Sequence, residues 1–438
     1  MSFPKYPAYK PSGAEWLGDV PAHWEIVQSR RYFANRNEKS IAGEKQLTAS
    51  QKHGVVYQAD FMELEGQKVV QVIVGADILK HAEPNDFVIS MRSFQGGIEW
   101  CGLRGSISSA YVMLVPNSAI WSPFYRYLFK SSLYIQALQA TTNLVRDGQA
   151  LRFSNFAQVA LPLLPIDEQQ QIATFLDHET AKTDALIAEQ EKLIALLAEK
   201  RQATISHAVT HGLNPNAPMN DSGVAWLGVV PAHWKLCRLK QLIEQPLMYG
   251  ANEAADDQTD SNPRFVRITD IDERGQLRVE TFRSLPPEVA APYMLSRGDI
   301  LFARSGATVG KTFIYRDTWG ACCFAGYLIR AHINQRLMSP DFLYIFCQSL
   351  PYWQYIGSEQ IQATIQNVSA ERYGELVVPV PSLEEQRAIC KFHDTEATRL
   401  DTLRAEAERA IALLKERRSA LIAAAVTGQI DVRGWSDN

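Results

Sequence analysis

Six cysteines in 438 residues form no C-x-x-C pair and keep no regular spacing to histidine. That disfavours zinc, haem and a disulfide framework, so Cys101, Cys237, Cys322, Cys323, Cys347 and Cys390 are expected as buried thiols in a reducing compartment. No apolar run is long enough to span a bilayer and the start lacks a charged-then-apolar leader, which predicts a cytoplasmic protein without a membrane partner. Low-complexity tracts are missing too, and with 46 % apolar residues two to four globular or helical units are expected. Neither sign of charge dominates: the formal net charge is −4. Its distribution is uneven, however, with 16 basic against 13 acidic groups in residues 1–157 and 4 against 8 in residues 158–220. A locally basic face for a polyanion remains open.

What is present is a repeat. Trp16-Leu-Gly-Asp-Val-Pro-Ala-His-Trp24 returns as Trp226-Leu-Gly-Val-Val-Pro-Ala-His-Trp234, 210 residues later. Pro162 and Asp167-Glu-Gln-Gln-Gln-Ile172 align with Pro379 and Glu384-Glu-Gln-Arg-Ala-Ile389 at an offset of 217, and the match runs on to Ala208-Val-Thr210 and Ala425-Val-Thr427. Ser12-Gly13 before the first phrase matches Ser222-Gly223 before the second, and the stretch Thr427 to Trp435 stands where a further copy would begin, so the repeat behaves as cyclic. Alike edges and divergent interiors predict one scaffold built twice, carrying two different surfaces.

Each copy continues from its lead phrase through about 130 residues of strand-like character and ends in a long helix. Short runs rich in Val, Ile, Phe and Tyr mark strands at 68–74, 86–90, 111–115, 299–303 and 327–331 in a mixed or antiparallel sheet. In 386–426, Ile389, Phe392, Leu400, Leu403, Ala407, Ala410, Leu414, Leu421 and Ala425 recur at intervals of three and four. Ile172, Phe175, Leu186, Leu193, Leu197, Ile205 and Ala208 keep the same register in the first copy. Helices this long outrun one small domain, and pairing with each other covers their apolar stripes. Packing of each helix on its own domain is the alternative.

The lead phrase, the P-x-x-x-x-x-E-Q helix starts at Glu168-Gln169 and Glu385-Gln386, and the variable regions between them resemble the specificity subunit (HsdS) of type I restriction-modification systems. The most specific internal phrases are Val88-Ile-Ser-Met-Arg-Ser-Phe-Gln-Gly-Gly97 with Ser108-Ser-Ala-Tyr111, and Gly298-Asp-Ile-Leu-Phe-Ala-Arg-Ser-Gly-Ala-Thr-Val-Gly-Lys311. The resemblance implies an α+β fold: two α/β target recognition domains in tandem, separated by two long antiparallel coiled-coil helices with a pseudo-twofold internal repeat. It divides the chain into recognition domain 1 (1–157), helical spacer 1 (158–212), recognition domain 2 (213–375), helical spacer 2 (376–430) and a tail (431–438). Each domain would read one half of a bipartite site on double-stranded DNA. Two modification (methyltransferase) subunits would dock on the spacer, with room for two restriction subunits carrying a motor and nuclease. This subunit would catalyse nothing and hold no cofactor, S-adenosylmethionine, ATP and Mg2+ being expected on the partners. A coiled-coil adaptor or decoy that binds proteins rather than DNA is the competing reading.

Within that frame Arg92, Ser93, Phe94 and Gln95, ahead of Gly96-Gly97, join a guanidinium, an amide and an aromatic in one turn, and are expected to read base edges. Arg104 and Arg146 are candidates for phosphate, whereas Lys130 reads as a solvated charge. In the second half Arg304, Ser305, Thr308 and Lys311 are displayed on a turn that invites comparison with a phosphate loop. G-x-x-x-x-G-K-[ST] needs glycine five before Gly310, yet Ser305 stands there, so a tight turn between strands fits better. Trp16, Trp24, Trp226 and Trp234 could stack on bases. Their recurrence at matched places, where the sequences read should differ, argues for packing, and His23 and His233 share that reading. Asn262-Pro-Arg-Phe265 lacks the second proline of an amino-methyltransferase motif, and no glycine-rich cofactor loop precedes it.

Overall fold

The computed structural model describes residues 3–66, 78–91, 93–142, 151–254, 256–272, 275–361 and 367–436. The chain divides into two compact units, residues 1–190 with 409–438, and residues 191–408. The scaffold elements recur in the same order in each.

In the first unit the lead phrase begins as a two-stranded ribbon, Tyr9–Pro11 against Asp19–Pro21. Strand Glu25–Gln28 then pairs with Ala160–Leu163, which closes the variable region onto its own beginning. Between them lies a four-stranded antiparallel sheet in the order Phe33–Arg36, Val112–Pro116, Phe87–Ile89, Glu99–Trp100. The second unit repeats the plan with ribbon Met219–Asp221 and Val229–Pro231, closing pair Lys235–Arg238 and Val377–Val380, and sheet Met248–Tyr249, Leu328–Ala331, Ile300–Ala303, Thr312–Ile314. The strands expected at 86–90, 111–115, 299–303 and 327–331 are present within a residue or two, and the one expected at 68–74 lies outside the described residues. Central strands are buried on both faces: Phe87, Val88 and Ile89 like Ile300, Leu301 and Phe302 are continuous apolar runs, which alternation alone would not reveal.

The long helices span Ile166–His211 and Leu383–Val426. At 46 residues the first extends about 69 Å at 1.5 Å per residue. Each starts after a proline-bearing strand with acidic side chains in its first turn, Asp167 and Glu168 or Glu384 and Glu385, where the helix dipole favours them. Each ends at a glycine with left-handed φ of +73°, Gly212 and Gly428. They run antiparallel: in the first unit Arg418 pairs with Asp184 at 2.9 Å, and in the second Arg201 pairs with Asp401. The first unit's core joins Ile172, Phe175 and Leu176 to Ile422, Ala425 and Val426, and the second's joins Ile205, Ala208 and Val209 to Ile389. Within each unit these stripe residues are buried on the other helix and on the domain, so the two expectations both hold in part, while Leu186, Leu193, Phe392 and Leu403 of the expected stripes are exposed.

Candidate nucleic-acid interface

The two turns singled out in the sequence occupy the same place in the two sheets. Each follows the central strand, Phe87–Ile89 or Ile300–Ala303, and leads to the next strand through a short helical turn, Ser93–Gly96 or Gly306–Thr308.

In the first unit Ser93 is buried, and its hydroxyl accepts the Ser90 backbone N–H at 2.8 Å, so it caps the turn. Phe94 is half-buried against the core, while Gln95 is exposed. Gly97 has φ of +78°, and a Cβ there would come within 2.2 Å of the Phe129 carbonyl oxygen, so glycine is required. Lys130 is not a solvated charge. Its ammonium donates to the Gly96 carbonyl at 2.9 Å and to Glu99, a buried carboxylate that would otherwise lack compensation. Arg104 is exposed, but its Nε lies 3.4 Å from Glu83 and 3.8 Å from Glu44, carboxylates that compete with any phosphate. Arg92 and Arg146 lie outside the described residues.

In the second unit Arg304, Ser305, Thr308 and Lys311 stand on an antiparallel hairpin closed by Ala303 N–H to Lys311 O (2.8 Å) and Gly310 N–H to Ala303 O (3.0 Å). A phosphate loop needs a helix after its glycine-lysine, and strand Thr312–Ile314 follows instead. The tight-turn reading is correct. The Arg304 guanidinium lies over the Tyr249 ring, 4.8 Å from its centroid, and its buried Nε has no hydrogen-bond partner among the described residues. Beside it an open groove of about 610 Å³ is lined by Asn252, Arg267, Thr269, Ser305 and Tyr327, among others. Arg267 is a fixed wall, held by two bonds to Asp270 at 3.0 and 2.7 Å. Tyr327 is 69 % exposed, and Asn252 and Thr269 are exposed too. Thr308 and Lys311 stand on the turn outside that lining. Sequence reasoning missed Asn252, Thr269 and Tyr327 because they come from three separate segments. One signal was there: Tyr327 precedes its strand as Tyr111 of the Ser108-Ser-Ala-Tyr111 phrase precedes its own.

Residues 256–408 match the family described as the type I restriction modification DNA specificity domain. The specificity subunit of the type I restriction enzyme EcoBI from Escherichia coli is 24 % identical over 366 residues, covering 81 % of this chain and 76 % of its own length. That of MjaVIII from Methanocaldococcus jannaschii is 21 % identical and covers 94 % of both. The chain is thus similar over most of its length to type I specificity subunits. Its fold is that of the HsdS subunit from Thermoanaerobacter tengcongensis, with a TM-score of 0.54 at 15 % identity over 93 % of this chain and 98 % of that one. A chain solved in work on complex assembly and conformational transition of the type I R-M system gives 0.63 at 16 % identity over the same shares.

In this sequence the repeated phrases are scaffold. Trp24 is fully buried and donates its indole N–H to Glu168 at 3.0 Å, while Trp16 donates to the Ala160 carbonyl at 3.2 Å. Glu168 also accepts from Tyr6 Oη and pairs with His23 Nε2, both at 2.7 Å. Gln169 next to it ties the helix start to the domain, accepting the Trp121 N–H at 2.7 Å and donating to the Ala119 and Leu164 carbonyls. The second copy keeps part of this arrangement: Glu385 pairs with His233 at 3.1 Å, and Gln386 accepts from Ser339 N–H and donates to Leu337 and Pro381. The Glu-Gln motif is thus a clamp, its two side chains gripping the lead phrase and the domain respectively. Among the described residues no cluster of His, Cys, Asp or Glu has metal-ligand geometry, and no helix is long and apolar enough to cross a membrane.

Proposed function

We propose that this chain is the DNA-reading subunit of a type I restriction-modification complex, each unit recognising one half of a split duplex target. The observation that carries the reading is the duplication itself. Clamp residues, closing strands and helix ends are alike in the two units, whereas the turns after the central strands share only Arg-Ser and then diverge, Phe94-Gln95-Gly96 in one and Gly306-Ala307-Thr308 in the other. Different readers on one scaffold are what a bipartite site of two dissimilar halves requires. The chain would catalyse nothing itself. The helical pair would dock two methyltransferase subunits carrying S-adenosylmethionine, with ATP and Mg2+ used by restriction subunits where these join. Cytoplasmic DNA would be the substrate.

The test is to map methylated positions genome-wide in cells carrying this chain with its modification partner, then replace residues 25–157 by the matching region of a relative. A split motif in which one half changes and the other stays is expected. If both halves change together, or if the chain shows no salt-dependent affinity for duplex DNA, the reading is wrong and a protein-binding adaptor takes its place.

A further inference from the structure

Gln95 is exposed, and the carbonyls of its two neighbours, Phe94 and Gly96, are both held by side chains. Phe94 O accepts from Gln139 Nε2 at 2.7 Å, and Gly96 O accepts from Lys130 Nζ at 2.9 Å. Both donors belong to the helical hairpin Ser122–Leu128 and Ser132–Ala140: Gln139 is in its second helix and Lys130 in its connection. Gly97 rests directly on the same connection at the Phe129 carbonyl. With both neighbouring carbonyls tethered, the backbone of the turn is restrained around Gln95, and the range of its Cα–Cβ direction narrows.

The second unit holds its turn differently. Gly310, which corresponds to Gly97, has its carbonyl bonded by Tyr352 Oη at 2.7 Å, and Tyr373 Oη bonds Ala303 O at 2.7 Å. Tyr134 sits in the first unit where Tyr352 sits in the second, three residues after Ser131 and Ser349, yet its buried hydroxyl has no partner among the described residues. Gln348 replaces Lys130 and bonds Tyr344 O in the helix just before it. One unit thus fixes its turn with neutral phenols, and the other with an ammonium and an amide.

Resting on the DNA-reading function proposed above, we infer that Lys130 and Gln139 are positioning residues for recognition of the first half-site: they preorganise the Gln95 turn for the major groove without touching DNA, with Glu99 as the buried counter-ion of Lys130. Preorganisation acts on discrimination because a turn ordered before binding loses less conformational freedom when it meets the correct bases. The second half-site, fixed by tyrosines, does not depend on either residue.

The experiment uses the chain assembled with its modification subunits and duplexes altered in one half-site at a time. Lys130→Met and Gln139→Leu should each lower discrimination at the first half-site by about tenfold, the order expected for loosening one bidentate base contact. Discrimination at the second half-site should stay within twofold, and Lys130→Arg, which keeps the charge, should restore most of the loss. Equal losses at both half-sites would reveal a general folding defect and overturn the inference, as would unchanged discrimination in both variants. Wild-type complex run alongside separates the two levels: without a split preference there, the DNA-reading proposal itself fails.

Discussion

Gly428 lies on Trp24: a Cβ on that glycine would stand 3.1 Å from the indole ring and 2.3 Å from Pro21. Gly212 has the same relation to Trp234, at 3.1 Å. In each unit the end of a long helix is turned by a left-handed glycine onto the tryptophan of a lead phrase. In the second unit helix and phrase are consecutive in sequence. In the first, residues 428–435 pack on the opening segment instead, with Asp431 N–H bonded to Pro4 O at 2.8 Å and Trp435 against Phe175.

Gly428→Ala is expected to destabilise the first unit by about 2 kcal/mol, from the left-handed φ together with the clash at Pro21. Gly212→Ala should cost less, since its nearest atoms are at 3.1 and 3.2 Å. Denaturant unfolding of the two variants checks the order, and equal midpoints would contradict it.

Glu168→Gln should be the more damaging of the two clamp substitutions, at about 2–4 kcal/mol, because three donors converge on a carboxylate that is 5 % exposed. Glu385 pairs with His233 at an exposed site, and Trp234 Nε1 finds no partner among the described residues, so Glu385→Gln should cost about 1 kcal/mol or less. Thermal unfolding of the pair is the measurement.

For the proposed DNA surface, Gln95→Ala is expected to weaken discrimination in one half-site by about 1–3 kcal/mol, and Asn252→Ala or Tyr327→Ala in the other by a similar amount. Arg304→Ala should follow Asn252. Lys311→Ala, on the far side of the turn, should lower the salt dependence of binding by about one phosphate contact and leave sequence preference alone. Competition binding at several salt concentrations distinguishes these outcomes.

Thiol chemistry should follow burial. Desolvation pushes Cys101 and Cys322 up to about 11 and Cys323 up to about 12, leaving little thiolate at pH 8. Alkylation of the native protein at pH 8 should therefore reach half-exposed Cys237 first and spare these three until denaturant is added. Rapid native labelling of Cys322 would refute that order.

The sequence by itself determined the duplication, the two long helices and four of the five expected strands. These follow from local rules: apolar spacing, proline before a helix, glycine after it, and β-branched runs. It also pointed to the tryptophans as scaffold through their recurrence at matched places, in line with buried Trp24 on Glu168 and Trp16 on the Ala160 carbonyl. Tertiary structure alone decided what Lys130 does, because its buried partner Glu99 lies 31 residues away and a charge reads as solvated until such a partner is known. It likewise decided which residues surround Ser305: Asn252, Thr269 and Tyr327 come together through strand order and turn geometry, and no spacing along the chain encodes that approach. Local preferences are written in neighbouring residues, whereas a buried ion pair or a groove is set by which distant backbones the packed core brings within a few ångströms.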